Sequence, residues 1–324
     1  MNSGSCIDNS TAGQIIINPY PVLTSAAFTS TCNNLNFIYK ATSSVAGTSF
    51  AWSQTSVPQI NGGAAVTGST STISLVLANS DNVPVQTQFY YTLTANGCTN
   101  PTVFSVTVTV FPTPSVDIPN PPSQAVCNGL TTVAITFSGS PVPGTVYNWT
   151  NSISTIGLAA AGSGTTINSF TAVNTTNANV TALITVTPMS NGCNGLPKTS
   201  TITIYPTPNI NTISRAVCTG ISFTVSPVNI TNGIVPDNTL YRWDLPSLTP
   251  GLSGGNTGSG ATIISGLFSH TSVTAQTATY TVVPSTADCG DAKSFTLVVT
   301  INPVADIQPL TTTVCGGITF QVSP

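Results

Sequence analysis

Residues 127–137 read CNGLTTVAITF, a cysteine followed by apolar side chains that fall on alternate positions in its second half. A period of two predicts a β-strand with one face in a core. Further along come an aromatic residue, a spacer and a tryptophan, Tyr147-Asn148-Trp149, and then a second cysteine in Gly192-Cys193. The order Cys, Trp, Cys organises the rest of the chain.

This order occurs three times, which indicates a tandem repeat. The three sets are Cys32, Trp52 and Cys98; Cys127, Trp149 and Cys193; and Cys218, Trp243 and Cys289. The spacing predicts β-sandwich repeats over 19–112, 113–206 and 207–303. Residues 1–18 match the end of such a unit and residues 304–324 match a beginning, so we expect the natural protein to continue in both directions.

Each unit has the strand signals of a two-sheet sandwich. An alternating strand follows each first cysteine, and a strand with a pair of apolar residues precedes each second cysteine. The first of these strands contains Leu35, Phe37 and Tyr39, then Leu130, Val133, Ile135 and Phe137, then Ile221, Phe223 and Val225; the second contains Phe89 and Tyr91, then Ile184 and Val186, then Tyr280 and Val282. With about seven short strands per unit and no amphipathic helix pattern, the sequence predicts an all-β chain of tandem immunoglobulin-like β-sandwich domains in a linear array.

The repeats are joined by short proline segments, Pro112-Thr113-Pro114, Pro206-Thr207-Pro208 and Asn302-Pro303. Proline fixes φ and removes a hydrogen-bond donor, so these junctions are expected to be stiff. The sequence therefore predicts a semi-rigid rod whose nearest partners are the neighbouring repeats.

The chain is poor in charge: only 4% of its residues are charged, it contains no Glu, and its net charge is −3. Its five cations are Lys40, Lys198, Arg215, Arg242 and Lys293. Five scattered cations do not form the patch that a nucleic-acid or anionic membrane partner requires. No apolar run approaches the roughly 18–20 residues of a spanning helix, so neither nucleic-acid binding nor membrane insertion is predicted.

Eight cysteines without a Cys-x-x-Cys pair favour disulfides in an oxidising compartment over zinc sites. Three pairing schemes stay open. Pairing within each repeat joins Cys32 to Cys98, Cys127 to Cys193 and Cys218 to Cys289. Pairing across junctions joins Cys32 to Cys193 and Cys127 to Cys289, because an immunoglobulin-like topology puts the two cysteines of one unit at opposite ends. The third scheme joins neighbours such as Cys98 and Cys127. Cys6 and Cys315 are expected to pair with units outside these residues.

Candidate chemistry is sparse. His270 is the only histidine and has no counterpart in the other units, so we interpret it as a surface variant and predict no catalytic residue. Asp288 and Asp291 form a solvated turn in preference to a Ca²⁺ site, because two single carboxylates bind this ion poorly. Neither a metal nor a cofactor is predicted. The three tryptophans, Trp52, Trp149 and Trp243, recur beside an aromatic neighbour and are predicted to pack in the core, the alternative being exposed platforms for sugar binding.

Several motifs together resemble a known group: Cys-x-Gly at 127–129, 218–220 and 315–317, aromatic-x-Trp, a Gly-Ser-Gly turn, and Gly-Cys at 97–98 and 192–193. The chain resembles the PKD-like repeats of Bacteroidota surface proteins, which are stacked in large numbers in gliding-motility adhesins of the SprB type. It departs from that pattern at Cys32-Asn33-Asn34 and at Asp288-Cys289.

The resemblance implies a structural stalk or filament segment of a secreted cell-surface adhesin, exported by the type IX system. Such a segment has like chains beside it in a fibre as its expected partners, and it reaches surface polysaccharide or a solid substratum through regions outside these residues. The alternative hypothesis is a carbohydrate-binding or spacer array of a secreted multidomain enzyme.

Overall fold

The computed structural model describes residues 14–305 together with 309, 311, 313–317, 319 and 321. Cys6 lies outside the described residues. The chain is all-β and consists of immunoglobulin-like sandwiches in tandem, as the sequence predicts. Helical structure within the described residues is limited to two short 3-10 turns, Asn61–Gly63 and Ser154–Ile156.

Three sets of strands follow one another along the chain. Repeat 1 contains β1 (Phe28–Cys32), β2 (Asn36–Lys40), β3 (Ser49–Gln54), β4 (Thr67–Gly68), β5 (Thr72–Val76), β6 (Val85–Ala95), β7 (Cys98–Thr99) and β8 (Phe104–Phe111). Repeat 2 contains β9 (Ser123–Cys127), β10 (Ile135–Thr136), β11 (Val146–Asn151), β12 (Ala161–Ser163), β13 (Thr166–Ile167), β14 (Val180–Ser190), β15 (Cys193–Asn194) and β16 (Lys198–Tyr205).

Repeat 3 has the same plan with extra short strands. It contains β17 (Asn209–Ile210), β18 (Ile213–Cys218), β19 (Phe223–Val225), β20 (Gly233–Ile234), β21 (Leu240–Trp243), β22 (Ser247–Leu248), β23 (Ser253–Gly254), β24 (Gly258–Ala261), β25 (Ile264–Gly266), β26 (Phe268–Ser269), β27 (Gln276–Thr286), β28 (Gly290–Asp291) and β29 (Phe295–Asn302).

The larger sheet has the same strand order in every repeat. It runs β1-β8-β6-β3-β4 in repeat 1, β9-β16-β14-β11-β12 in repeat 2 and β18-β29-β27-β21-β24 in repeat 3. The opposing sheet contains β2-β5, β10-β13 and β19-β25 respectively. The first strand of each larger sheet pairs in parallel with the last, and the remaining pairs are antiparallel. This parallel edge determines where the cysteines lie.

Each repeat has its own core, built by strands that bury alternate side chains. The last strand of repeat 1 buries Val106, Val108 and Val110 completely while the residues between them reach the other face. At roughly 1.5–3 kcal/mol for each fully buried large apolar side chain, a cluster of eleven or more such residues can stabilise a domain of this size. Three separate clusters follow the three sets of strands.

The alternating strand after each first cysteine begins later than the sequence predicts. Phe37, Ile135 and Phe223 are buried, but Leu35, Leu130, Val133 and Ile221 are more than half exposed. The residues just after the cysteine form a turn, in which the Leu130 N–H donates to the Cys127 carbonyl. At Val133 the Gln124 side chain bonds both the N–H and the C=O, so a side chain occupies the place of a strand partner.

Candidate functional site at the repeat junctions

The first cysteine of each repeat lies at the end from which the chain leaves. Cys32 pairs in parallel register with Phe111, the final residue of β8. The equivalent pairs are Cys127 with Tyr205 and Cys218 with Asn302. Because strands in parallel register end together, each first cysteine is placed beside the start of the next junction.

The second cysteine lies at the opposite end. Cys98 and Cys193 begin the short strands β7 and β15, which pair with the ends of β6 and β14, and Cys289 lies in the equivalent turn after β27. A closing strand of eight residues separates the two ends of a repeat, and that is about 27 Å of strand. A disulfide, in contrast, needs Cα atoms within about 7 Å.

Two disulfides therefore join successive repeats. Cys32 bonds Cys193 with a Cα–Cα distance of 5.6 Å, and Cys127 bonds Cys289 with a Cα–Cα distance of 5.8 Å. These are the pairs of the cross-junction scheme. The within-repeat scheme is wrong for these four cysteines, because the strand length separates Cys32 from Cys98 and Cys127 from Cys193. The neighbour scheme is wrong because Cys127 bonds Cys289 and not Cys98. Among the described cysteines, Cys98, Cys218 and Cys315 are free.

Both bridged junctions contact the preceding repeat, and the first also contacts the following one. The Thr113 hydroxyl donates to the carbonyl of Asn33, and the Thr207 hydroxyl donates to the carbonyl of Asn128, each at 3.4 Å. Both acceptors directly follow a first cysteine. On the far side of the first junction, a Cβ on Gly195 would lie 1.9 Å from the carbonyl oxygen of Pro114. The hairpin that carries Cys193 thus lies directly on the junction backbone.

A buried polar side chain ties the cysteine end of each repeat to its last strand. The Asn79 and Asn174 amides donate to the carbonyls of Val110 and Ile204, both at 2.9 Å. In repeat 3 the Nε2 of His270 lies 3.1 Å from the Ile301 carbonyl and is placed to donate to it. We call Asn79, Asn174 and His270 the tie residues. The backbone N–H of each donates to the side chain that follows the first cysteine, which is Asn33, Asn128 or Thr219.

His270 is therefore not the surface variant that the sequence suggested. It is only 9% exposed, and it occupies the place that Asn79 and Asn174 occupy in the other repeats. An alignment of the repeats on cysteine and tryptophan alone does not reveal this group of three. Counting back from the closing strand would have revealed it, because 31, 30 and 31 residues separate Asn79, Asn174 and His270 from the carbonyls that they bond.

The tryptophans pack inside the sandwiches against glycine. Trp52, Trp149 and Trp243 are 8%, 8% and 4% exposed. Each pairs across strands with a glycine, at Gly68, Gly162 and Gly258, where a Cβ would lie 2.3–2.4 Å from the indole ring. The predicted glycine-serine turn is thus partly a strand, and its first glycine leaves room for the ring. None of the three rings is presented as a platform for a sugar.

The acidic residues near the second junction are dispersed. Asp291 forms an exposed ion pair with Arg242 at 2.6 Å. Asp288 instead lines a cleft of about 340 Å³ between repeats 2 and 3, where Asp237 is the other carboxylate. No group of three or more metal-ligating side chains occurs among the residues that the structure describes. Within the same residues, no helix has the length and apolar character needed to cross a bilayer.

Comparison with known families gives a match to the PKD-like domain over residues 29–114 and 215–305, more than half of the chain. These two segments cover most of repeats 1 and 3. No curated protein matches the chain.

Several solved structures are similar at low identity. The I-band fragment I67–I69 of titin is 10% identical, with 89% of this chain and 100% of that chain covered at a TM-score of 0.35. Dpr2 Ig1–Ig2 in complex with DIP-Theta Ig1–Ig3 is 12% identical, with 88% of this chain and 100% of that chain covered at a TM-score of 0.33. Protocadherin gammaB7 EC3–6 is 14% identical, with 88% and 74% covered and a TM-score of 0.31. Similarity at this level carries no functional information.

Proposed function

The chain belongs to the PKD-like domain family, and from this premise we propose that it is a load-bearing stalk segment of a secreted cell-surface adhesin. The observation that carries the proposal is the pair of disulfides that bridge successive repeats. A bond across a junction adds nothing inside either core. It restricts how two neighbouring domains bend, twist and separate, which matters in a protein whose task is mechanical.

The junctions support the same proposal. Each bridged junction combines a disulfide, a Pro-Thr-Pro segment and a threonine bond to the preceding repeat. Domains that move independently are usually joined by flexible linkers instead. We keep 19–112, 113–206 and 207–303 as the proposed domain boundaries, since the three sets of strands fall within them.

We propose an extracellular location at the cell surface, because disulfides persist in oxidising compartments. A surface with few charges also has little electrostatic stabilisation to lose when the surrounding salt changes. The resemblance to the repeats of Bacteroidota gliding-motility adhesins extends the proposal to export by the type IX system. Contacts with polysaccharide or a solid substratum are assigned to regions outside these residues, and lateral contacts to like chains.

Small-angle scattering tests the proposal on the chain as it stands. A rod of three repeats is expected to be about 110 Å long, since a strand of eight residues spans about 27 Å and loops extend each repeat further. A compact particle with a radius of gyration near 20 Å, the value for a single globule of this length, would contradict it.

A glycan array on the same sample separates the stalk from a carbohydrate-binding array. The stalk proposal expects no binding, because all three tryptophans are buried. Binding that disappears when an exposed aromatic residue such as Phe28 or Tyr20 is changed to Ala would favour the carbohydrate-binding alternative. A spacer of a secreted enzyme would match the stalk in both measurements and is distinguished by the domains that accompany it in the natural protein.

A further inference from the structure

We propose that Cys98 and Cys218 are disulfide sites for two further repeats of the same kind, one docked before repeat 1 and one docked after repeat 3. This inference deepens the proposed stalk function. It assigns to each free cysteine a partner that is defined by its place in a repeat: a first cysteine for Cys98 and a second cysteine for Cys218.

The first support is the geometry of the bonded cysteines. Both disulfides follow one rule, in which the first cysteine of a repeat bonds the second cysteine of the next, at sequence separations of 161 and 162. Cys218 occupies the same strand register as Cys32 and Cys127, opposite the end of the closing strand. Cys98 occupies the same hairpin position as Cys193.

The second support is that the surroundings of Cys218 are already formed. The N–H after the cysteine donates to the end of the closing strand in all three repeats, from Asn33, Asn128 and Thr219. The tie residue is also in place in each. What differs is coverage: Cys32 and Cys127 are half-buried beneath the following repeat, whereas Cys218 is exposed. The second cysteines show no such contrast: Cys193 is 1% exposed, whereas the bonded Cys289 and the free Cys98 are both half-buried.

Placing a known repeat after repeat 3 tests the inference. In this fusion, residues 113–206 are copied after Pro303 in place of 304–324, which recreates the sequence Pro-Thr-Pro at the new junction. Non-reducing trypsin digestion isolates Cys218 on peptide 216–242. We expect this peptide to be linked to the fusion peptide that carries the copied Cys193. Alkylation of Cys218 under native conditions should slow about tenfold or more, because only a thiolate reacts.

The matched control is the same fusion with the copied Cys193 changed to Ser. Its Cys218 should remain a thiol that a small alkylating reagent modifies after unfolding. The digest also reports folding, since the linked peptides of Cys32–Cys193 and Cys127–Cys289 must persist. If they persist and Cys218 stays free, or if Cys218 instead links two copies of the chain, the inference is overturned.

A second fusion tests Cys98 independently. Residues 113–205 are copied before Pro19 in place of 1–18, and the copied Cys127 is then expected to bond Cys98. A free Cys98 in a folded fusion would overturn that half of the inference, even if the first fusion fails to fold. Failure here is distinct from failure of the stalk proposal, because a fusion that scatters as a longer rod without the new disulfide keeps the stalk and rejects the bond.

Discussion

Repeat 2 and repeat 3 have the same sheet order and equivalent cores, but the ends that face the next repeat differ. At the end of repeat 2, Cys127 is bonded, and the junction that follows it supplies the Thr207 hydroxyl. At the end of repeat 3, Cys218 is an exposed thiol, and Val304 stands where Thr207 stands in the earlier junction. The strands that frame the two ends are nevertheless in the same register.

The tie residues differ in the same way. Asn174 uses its whole amide: Nδ2 donates to Ile204 and Ala178, and Oδ1 accepts from Thr176. His270 makes the bond to Ile301 through Nε2, while its Nδ1 is buried without a partner. Each repeat therefore requires one donor directed at the last strand and tolerates different chemistry around it. Four experiments test this distinction between the sandwich framework, which the repeats share, and the repeat ends, which differ.

The largest expected effect comes from removing the disulfide at the end of repeat 2. Cys127→Ser with Cys289→Ser should destabilise the chain by about 4–5 kcal/mol, because the bond closes a long loop. The matched control, Cys98→Ser with Cys218→Ser, removes two free thiols and should change stability by less than about 0.5 kcal/mol. Calorimetry on both proteins measures the difference, and equal midpoints would show that the bonded junction contributes nothing.

Alkaline pH should weaken repeat 3 through a tyrosine on β21. Burial raises the pKa of Tyr241 to about 12, above the value of roughly 10 in an unfolded chain. The folded state therefore holds this proton more tightly, so its stabilising contribution is complete below pH 10 and is lost as the pH rises towards 12. The loss is about 2 kcal/mol.

Tyr241→Phe removes that pH dependence and provides the check. Urea unfolding at pH 9 and at pH 11.5, with free thiols alkylated to prevent disulfide exchange, should show a smaller loss in the variant than in the parent. An identical loss in both proteins would show that another group controls alkaline unfolding.

Substitution of the glycine that packs against each tryptophan tests whether the repeats share the same sandwich framework. Gly162→Ala in repeat 2 and Gly258→Ala in repeat 3 each put a Cβ against an indole ring, and overpacking of this kind costs about 1–3 kcal/mol. We expect similar losses in both repeats, measured as shifts in denaturant midpoint. Ser163→Ala, an exposed neighbour, is the control. A loss in only one repeat would contradict the equivalence of the two cores.

The smallest expected effect is the difference in stability between variants of the tie residues in repeats 2 and 3. Asn174→Ala removes several hydrogen bonds at once and should cost about 2 kcal/mol, whereas His270→Ala removes one and should cost about 1 kcal/mol. His270→Asn should recover the stability of the parent protein or exceed it, because the amide keeps the donor and removes the unpaired ring nitrogen. Chemical denaturation measures the unfolding free energy of all three variants. A larger loss of unfolding free energy for His270→Ala than for Asn174→Ala would contradict the prediction.

The fold could be predicted from the sequence because its signals are local and repeated. Alternation in the closing strands and the recurrence of Cys, Trp and Cys are sufficient for tandem sandwiches. The cysteine pairs could not be decided, since the spacing is compatible with all three schemes; the parallel pairing of β1 with β8 places Cys32 at the junction. His270 was misinterpreted for a different reason, because an Asn stands at the equivalent position in the other repeats and a search for a recurring histidine does not detect it.

The two disulfides enclose overlapping stretches of chain, which limits how far the array can lengthen under tension. The loops closed by Cys32–Cys193 and Cys127–Cys289 share the segment 127–193. The shortest covalent route from Cys32 to Cys289 therefore crosses one disulfide, runs backwards along that segment and crosses the other. Fully unravelled, this route measures roughly 220–240 Å, whereas the same chain without disulfides would reach roughly 850–930 Å. A tether built in this way extends to at most about a quarter of its contour length before covalent bonds carry the force.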